Sequence, residues 1–363
     1  MLTAADSQWM AHALRLAERG LYSTSPNPRV GCVLVKDEAM VGEGWHERAG
    51  EAHAEIHALR AAGDRARGAT AYVTLEPCSH HGRTPPCADA LIEAGVARVV
   101  AAMQDPNPLV SGQGLEKLRA AGIAVECGLM EAAARELNIG FIARMTRGLP
   151  WVRSKIAASL DGRTALNNGT SQWITGDAAR QDVQRWRARS CAVLTGIGTV
   201  LADDPQLNVR SIKTARQPLR AVLDNKLRLP LNARLLQQPG LLIYTASDDA
   251  RKIAELKQAG AEVLSVPDAD GIVDLPAVLR DLAGRGGNEV LVEAGSKLNG
   301  RLLQLGLVDE LLLYLAPQML GDLACGMARL NELTSLEQRI NLEWKDVRHI
   351  GKDLRITARV KKD

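Results

Sequence analysis

Three side chains of metal-binding type, His53, Cys78 and Cys87, occupy one short stretch, with Glu55 two residues past the histidine. Five of the seven histidines fall between His46 and His81, a density that scattered core histidines do not produce. Zinc takes imidazole and thiolate ligands tetrahedrally, and a catalytic zinc keeps three protein ligands so that water holds the fourth position. Each ligand is expected near a helix start after a strand or loop, where the positive helix end favours thiolate and hydroxide. Water bound there has a pKa of about 7, against about 15.7 in bulk. Glu55 is too close to His53 to be needed as a ligand and is placed to move protons. A closed zinc knuckle or a chance cluster is the competing reading, although a purely structural site normally has four ligands and no adjacent glutamate. His57 could mimic the second histidine of a His-x-x-x-His zincin, but that motif needs Glu directly after the first histidine, where Ala54 stands. His57 is read as packing.

Positioning these groups takes a framework of alternating elements. Asp6 or Ser7 is expected to cap a helix with Met10, Ala13, Leu14 and Ala17 on its apolar face and Gly20 as its stop. Residues 30–36 and 40–45 read as a hairpin turning at Asp37. Helices are expected over about 54–62, 86–94, 114–121 and 131–146, with strands at 71–75, 98–103 and 124–127. That alternation predicts a mainly parallel sheet covered on both faces, a three-layer α/β domain. Gly148-Leu149-Pro150 punctuates the chain and sets domains at 1–148 and 149–363. The second is expected to be α/β with its own sheet: strands at 152–157, 192–194, 220–223, 241–244, 262–266, 289–292 and 310–315, helices at 177–189, 250–258, 275–282 and 297–305. Strands 341–347 and 354–360 lack an intervening helix and read as an antiparallel edge.

Composition narrows the function classes. A length of 363 residues suits two or three domains. Apolar residues are 46% and charged residues 24%, and the longest apolar runs, such as 311–317, fall short of a bilayer span, which excludes a membrane protein. A formal charge of +3 and 3% aromatics, with Phe141 the single phenylalanine, argue against nucleic-acid binding. No secretory signal opens the chain, so the expected location is cytoplasmic. The cysteines at 32, 78, 87, 127, 191 and 325 are then thiols or metal ligands rather than a disulfide scaffold.

The His-x-Glu pair followed by Pro-Cys is the pattern of zinc deaminases, in which the glutamate passes a proton from water to the ring nitrogen and the departing ammonia. The usual Pro-Cys-x-x-Cys is stretched here, with eight residues, Ser79 to Pro86, between Cys78 and Cys87. That insertion, within Thr74-Leu75-Glu76-Pro77-Cys78 through Cys87, joins Pro26-Asn27-Pro28 and Gly42-Glu43-Gly44-Trp45-His46. Ser159-Leu160-Asp161-Gly162-Arg163, Ser171-Gln172-Trp173-Ile174-Thr175, Leu201-Ala202-Asp203-Asp204-Pro205 and Val292-Glu293-Ala294-Gly295 follow in order. Together they closely resemble the bifunctional riboflavin-biosynthesis deaminase/reductases, over essentially the whole chain.

The resemblance implies a cytidine-deaminase-like first domain and a dihydrofolate-reductase-like second. The first would hydrolytically deaminate 2,5-diamino-6-(5-phosphoribosylamino)pyrimidin-4(3H)-one, with one Zn2+ on His53, Cys78 and Cys87 and Glu55 as proton shuttle. Asn27, His46, His80 and Arg83 would hold its substrate, although Asn27 between two prolines is also a natural turn residue. The second would reduce the ribosyl chain of 5-amino-6-(5-phosphoribosylamino)uracil with NADPH. Ala157, Trp173, Thr199, Asp203, Gly295, Ser296, Lys297, Leu298, Asn299, Gly300 and Arg301 would meet the cofactor, and Ser171, Arg187, Leu207, Arg210 and Glu293 the substrate. A helix beginning behind Gly295 offers free N–H groups to a pyrophosphate, whereas Thr195-Gly196-Ile197-Gly198 lacks the third glycine of a dinucleotide fingerprint and no glycine-bearing helix is expected after it. Arg187 and Arg210 suit a phosphate monoester because guanidinium pairs with it bidentately; for Arg187 a solvated basic helix face remains open. Lys155 and Asp203 are candidates for proton handling. A homo-oligomer, dimer or tetramer, is expected. Two rival readings stand beside this one: a nucleoside or tRNA deaminase fused to an unrelated α/β domain, and a zinc-stabilised binding module without turnover.

Overall fold

The computed structural model describes residues 2–79, 86–108 and 110–362. The chain divides into two compact units, Met1–Leu149 and Pro150–Asp363.

The first unit opens with α1 (Ala4–Glu18), capped by Thr3 rather than by Asp6 or Ser7. The Thr3 hydroxyl accepts from the Asp6 N–H, and the Asp6 carboxylate accepts from the Thr3 N–H at 2.7 Å, a reciprocal capping box. Asp6 is a member of the box, so the helix starts three to four residues, about one turn, earlier than the apolar periodicity suggests. The elements that follow are β1 (Gly31–Lys36), β2 (Ala39–Trp45), α2 (Ala54–Ala62), β3 (Thr70–Val73), α3 (Cys87–Glu93), β4 (Arg98–Ala101), α4 (Gln113–Ala120), β5 (Ala124–Cys127), α5 (Glu131–Leu137) and α6 (Ile139–Arg147). The sheet runs β2-β1-β3-β4-β5, with β1 antiparallel to β2 and β3, and β3, β4 and β5 parallel.

Successive residues of a strand point to opposite faces, and β1 shows both covered. Cys32 and Leu34 pack with Ala54, Ala58, Leu91 and Leu118 from α2, α3 and α4, while Val33 and Val35 pack with Met10, Leu14 and Ala134 from α1 and α5. This is the three-layer arrangement. The Gly42-x-Gly44 spacing has a steric purpose: a Cβ on Gly42 would sit 2.3 Å from Ala58 O, and one on Gly44 2.6 Å from Ala54 O. Bare glycine backbone lets α2 rest directly on β2, which fixes where α2 begins and where His53 stands. The single helix expected over 131–146 is two helices. Between them Asn138 leaves helical geometry because its buried amide clamps the backbone of Arg29, accepting from Arg29 N–H at 2.8 Å and donating to Arg29 O at 2.9 Å.

The second unit contains β6 (Trp151–Ser159), β7 (Arg163–Ala165), α7 (Asp177–Arg189), β8 (Ala192–Gly196), α8 (Ile197–Asp203), β9 (Leu219–Leu223), β10 (Leu241–Thr245), α9 (Ala250–Gln258), β11 (Glu262–Ser265), α10 (Leu275–Gly284), β12 (Glu289–Glu293), α11 (Ser296–Gln304), β13 (Glu310–Ala316), β14 (Cys325–Gly326), β15 (Leu342–Ile350) and β16 (Asp353–Val360). Its main sheet runs β11-β10-β9-β8-β12-β6-β13-β16-β15. The strands from β11 to β13 in that order are parallel, and β16 and β15 close one side antiparallel. Leu256 of α9 and Val200 of α8 pack with Val193, Val222 and Ile243, and Val183 of α7 packs with Leu291 and Leu312. The pairing of β7 with β14 is too short to leave a sequence signal. The expectation of no glycine-bearing helix after Thr195-Gly196-Ile197-Gly198 is corrected: α8 starts at once, with Gly196 at its N-cap and Gly198 inside it. A missing third glycine argues against a dinucleotide fingerprint but does not prevent seven residues from turning helically.

Candidate functional site

The first site is assembled at two helix starts. His53 is the N-cap residue of α2, Cys87 is the first residue of α3, and Cys78 lies in the loop that leaves β3. Cys78 Sγ is 3.6 Å and Cys87 Sγ 3.3 Å from His53 Nδ1, and the three donor atoms lie within 4.8 Å of one another. A tetrahedron with zinc bonds of about 2.0–2.3 Å has edges of roughly 3.3–3.8 Å, so the spacing matches the metal before any metal is considered. The start of α3 faces Cys78: the N–H of Cys87 donates to Cys78 Sγ at 3.3 Å and that of Ala88 to Cys78 O at 3.1 Å. Hydrogen bonding from the Cys87 thiol, with help from His53, pushes Cys78 down to about 4, while the same contact and burial push Cys87 up. His53 is raised, chiefly by its contact with Cys78.

Glu55, in the first turn of α2, is 3% exposed, and burial pushes its carboxyl up to about 7. Its Oε2 is buried without a hydrogen-bond partner among the described residues. A carboxyl held in this way beside the three ligands is suited to exchanging a proton and unsuited to a structural ion pair. His46 stands edge-on to His53, ring centroids 5.2 Å apart. Its Nδ1 donates to Ala52 O at 3.1 Å, so Nε2 is free to accept from the Asn27 amide at 3.1 Å, and burial lowers its proton affinity. Asn27 is thus aimed by a buried histidine. His57 stays out of the ligand set; a Cβ on Gly44 would meet its Cβ at 2.5 Å, which places it against β2. His80 and Arg83 lie outside the described residues.

Sequence reasoning missed Glu76 as a functional residue. Its buried carboxylate accepts from the N–H groups of Asp105 at 3.0 Å, Gly112 at 2.9 Å and Gly114 at 2.8 Å, with Leu115 at 3.4 Å. It therefore caps α4 from a distant strand end. Gly114 lies so close to Pro77 that a Cβ there would be 1.9 Å from Pro77 O. Glu76 and Pro77, just ahead of the ligand Cys78, are thus held against the start of α4.

The second unit carries a cleft of about 1260 Å³ across the carboxyl ends of its parallel strands. Such strand ends are where open α/β sheets bind ligands. Ala157, Ser171, Trp173, Thr199, Asp203 and Leu207 line it, as do Gly295, Ser296, Lys297, Leu298 and Arg301. Gly295 is the N-cap of α11, and a Cβ built on it meets nothing within 4 Å, so the helix start lies open, as a cofactor pyrophosphate requires. Two residues of that run turn away. The Asn299 side chain is buried, accepting from Ser154 Oγ at 3.1 Å and donating to Ala294 O at 3.2 Å. Gly300 packs under Arg329, whose carbonyl oxygen would lie 2.0 Å from a Cβ. Both hold α11 in place and neither lines the cleft, because a helix presents only one face to it.

Charge is concentrated at the cleft floor. Arg187, 8% exposed, donates to both Glu293 oxygens at 2.6 and 2.9 Å and to Asn208 O at 3.1 Å. These contacts take three of its five N–H groups, and it lines the cleft together with Arg210. Arg210 donates only to neutral oxygens of Gln206 and Asn208, both at 3.0 Å, and has no ion pair among the described residues. Burial, then the neighbouring charges of Arg187 and Arg234, lower its pKa. Burial likewise lowers Lys155, which faces Glu293 and Asp203. Burial would raise Glu293, yet Arg187 and Lys155 hold it below the usual carboxylate range. Asp203 accepts from the Gln172 amide at 2.9 Å.

The family described as "Cytidine and deoxycytidylate deaminase zinc-binding region" matches residues 3–103, and "RibD C-terminal domain" matches residues 150–356. The riboflavin biosynthesis protein RibD of Escherichia coli (strain K12) is 51% identical over 96% of this chain and 98% of its own. The chain belongs to the RibD family. Another RibD protein, from Haemophilus influenzae, is 46% identical over 97% of this chain and 96% of its own. Among solved structures, Acinetobacter baumannii RibD, form 1, matches with a TM-score of 0.92 at 48% identity, covering 99% of both chains. A Thermotoga maritima protein titled diaminohydroxyphosphoribosylaminopyrimidine deaminase/5-amino-6-(5-phosphoribosylamino)uracil reductase matches with a TM-score of 0.88 at 35% identity, covering 98% of this chain and 99% of that one. This RibD family member is a bifunctional deaminase and reductase of riboflavin biosynthesis that uses zinc in its first unit and NADPH in its second. Among the described residues, no helix is long and apolar enough to cross a membrane.

Proposed function

We propose that the first unit deaminates 2,5-diamino-6-(5-phosphoribosylamino)pyrimidin-4(3H)-one and that the second reduces the ribosyl chain of 5-amino-6-(5-phosphoribosylamino)uracil to ribityl. The observation that carries this is the pairing, in one chain, of a His53, Cys78 and Cys87 cage beside a buried Glu55, whose Oε2 has no hydrogen-bond partner among the described residues, with an arginine-floored cleft open at the start of α11. Zinc held by those three residues supplies the Lewis acid that makes water nucleophilic at neutral pH. Glu55 would carry one proton of the attacking water to the ring nitrogen and the second, released as the new C–OH becomes the carbonyl and the C–N bond breaks, to the departing ammonia. Asn27, aimed by His46, orients the pyrimidine, with His80 and Arg83 on the phosphate-bearing arm.

NADPH supplies the reducing equivalent in the cleft. Ala157, Trp173, Thr199, Asp203, Gly295 to Leu298 and Arg301 hold it. Lys155 is close enough to Glu293 and Asp203 to be electrostatically coupled to both, and it protonates the sugar oxygen as the ring opens. Ser171, Leu207 and the Arg187–Glu293 pair position the substrate, and Arg210 takes its phosphate, a dianion suited to an arginine without a carboxylate partner. We further infer a cytoplasmic homo-oligomer, dimer or tetramer. The outer strand β15 supports assembly, with Trp344 and Val347 63% and 56% exposed on an unpaired edge; light scattering reads the stoichiometry.

The deciding experiment incubates zinc-loaded protein with the diaminopyrimidinone phosphate and NADPH. Ammonia release and NADPH oxidation are both expected. Glu55→Gln should stop the first while leaving NADPH oxidation intact when the uracil intermediate is supplied. Absence of both activities in the parent chain would favour a binding module instead.

A further inference from the structure

Resting on the reading of the cleft as the NADPH site, we propose that Asp353, at the tip of the β15–β16 hairpin, is a positioning residue for the reduction: it fixes the start of α7 and, through it, the wall of the cleft formed by residues 171–175. Residues 171–176 belong to no helix or strand, so point contacts must place them. Those from 171 to 175 all line the cleft. The Gln172 amide donates to Asp203 at 2.9 Å, and the Gln318 amide donates to Ile174 O at 3.1 Å. Two more contacts come from α7. Arg180, near its start, donates to Thr175 O at 2.6 Å, and its guanidinium lies 4.5 Å from the centre of the Trp173 ring. Trp173 is therefore tied to α7, and whatever fixes the start of that helix fixes the wall.

Asp353 does so from 177 positions away. Its buried carboxylate accepts from the N–H of Gly176, the N-cap of α7, at 2.7 Å. Gly176 has no side chain with which to cap the helix itself, and a carboxylate at a helix start gains from both the hydrogen bond and the positive helix end. The hairpin tip is shaped for this approach. Gly351 turns at φ +63°, and a Cβ on it would stand 2.8 Å from the Cβ of Ala178, so bare glycine lets the tip reach the first turn of α7. Packing does not duplicate the contact, because a hollow of about 420 Å³ is lined by Trp173 and Thr175 from the wall and by Ile350 and Lys352 from the hairpin. The other oxygen, Oδ1, is buried without a hydrogen-bond partner among the described residues. A buried carboxylate is costly to hide, and here its hydrogen bond goes to the hinge between α7 and the cleft wall.

The test is steady-state reduction of the uracil intermediate by the full-length chain with NADPH varied, alongside nanosecond fluorescence depolarisation of Trp173, taken as the difference from the matching Trp173→Phe protein. Asp353→Ala is expected to raise the KM for NADPH at least fivefold with kcat within twofold, to speed Trp173 depolarisation, and to leave ammonia release unchanged. Asp353→Asn, whose amide oxygen still accepts from Gly176, should return both readouts to parent values. An Asp353→Ala protein that is destabilised yet keeps the parent's KM and Trp173 signal overturns this proposal alone. Should Asp353→Ala fail to fold, Gly351→Asn decides: asparagine tolerates the positive φ, but its Cβ meets Ala178 and lifts the tip from α7. The KM for NADPH should then rise at least threefold, and Gly351→Asn/Ala178→Gly should bring it back; a parent-like KM in Gly351→Asn overturns the proposal. A parent that does not oxidise NADPH with supplied intermediate overturns the cofactor reading and this proposal with it.

Discussion

Replacing Arg187 with alanine separates two roles that the sequence leaves side by side. If Arg187 were a phosphate ligand, its loss would raise the KM for the phosphorylated substrate and leave the fold alone. The structure instead closes it on Glu293 by two hydrogen bonds of 2.6 and 2.9 Å, with side-chain exposures of 10% and 12%. Removing one partner of a buried pair leaves the other charged and unsolvated, at a cost of about 3–5 kcal/mol. Lys155 still faces Glu293, so the lower end, about 3 kcal/mol, is expected for Arg187→Ala. Neutralising the orphan in Arg187→Ala/Glu293→Gln should restore part of it. The assay is equilibrium urea unfolding of the metal-loaded chain, with zinc retention reporting on the first unit and substrate KM measured in parallel. An Arg187→Ala protein within about 0.5 kcal/mol of the parent, the usual range for a surface substitution, whose substrate KM has nonetheless risen tenfold would refute the ion-pair reasoning.

Arg210→Ala should weaken substrate phosphate binding by on the order of 1.5–3 kcal/mol, the range for hydrogen bonds to charged groups, read as a KM increase for the uracil intermediate with little change in unfolding. Glu76→Gln should speed zinc loss to a competing chelator, because an amide NH2 now faces the N–H groups of Asp105, Gly112 and Gly114; parent-like retention would reduce Glu76 to a remote cap. Each buried N–H left without an acceptor costs about 1–3 kcal/mol, so Glu76→Ala should also lower the unfolding midpoint of the first unit. Stripping the metal should abolish ammonia release while leaving NADPH oxidation with supplied intermediate at the parent rate; parallel loss of both would mean that the units do not work independently.

The alternation of elements was readable because each layer imposes a period on the chain: Cys32 and Leu34 face one way, Val33 and Val35 the other. Boundaries set by side-chain hydrogen bonds were not. Thr3 and Asp6 share a cap, and Asn138 splits a helix to clamp Arg29, a residue 109 positions earlier. The Thr3–Asp6 cap spans three residues and goes unseen when the apolar face alone is followed, whereas the Asn138–Arg29 pairing is long-range and has no local pattern. The same limit explains Glu76, which reads as one more residue before Pro-Cys until the 105–115 segment folds back onto it.

The sequence by itself determined the chemistry at the metal, since ligand type and helix starts are local properties: His53, Cys78 and Cys87 can do little else together, and Glu55 is tied to them by two residues of chain. It could not determine how arginines are used. Arg187 and Arg210 are equal as letters, and both are candidates for a phosphate. Only the packing of α7 against β12 pairs Arg187 with Glu293 and leaves Arg210, in the same cleft, with neutral partners, and burial of Leu227 and Leu229 turns Lys226 and Arg228 toward it. A charge is defined by what neutralises it, and that partner comes from elsewhere in the chain.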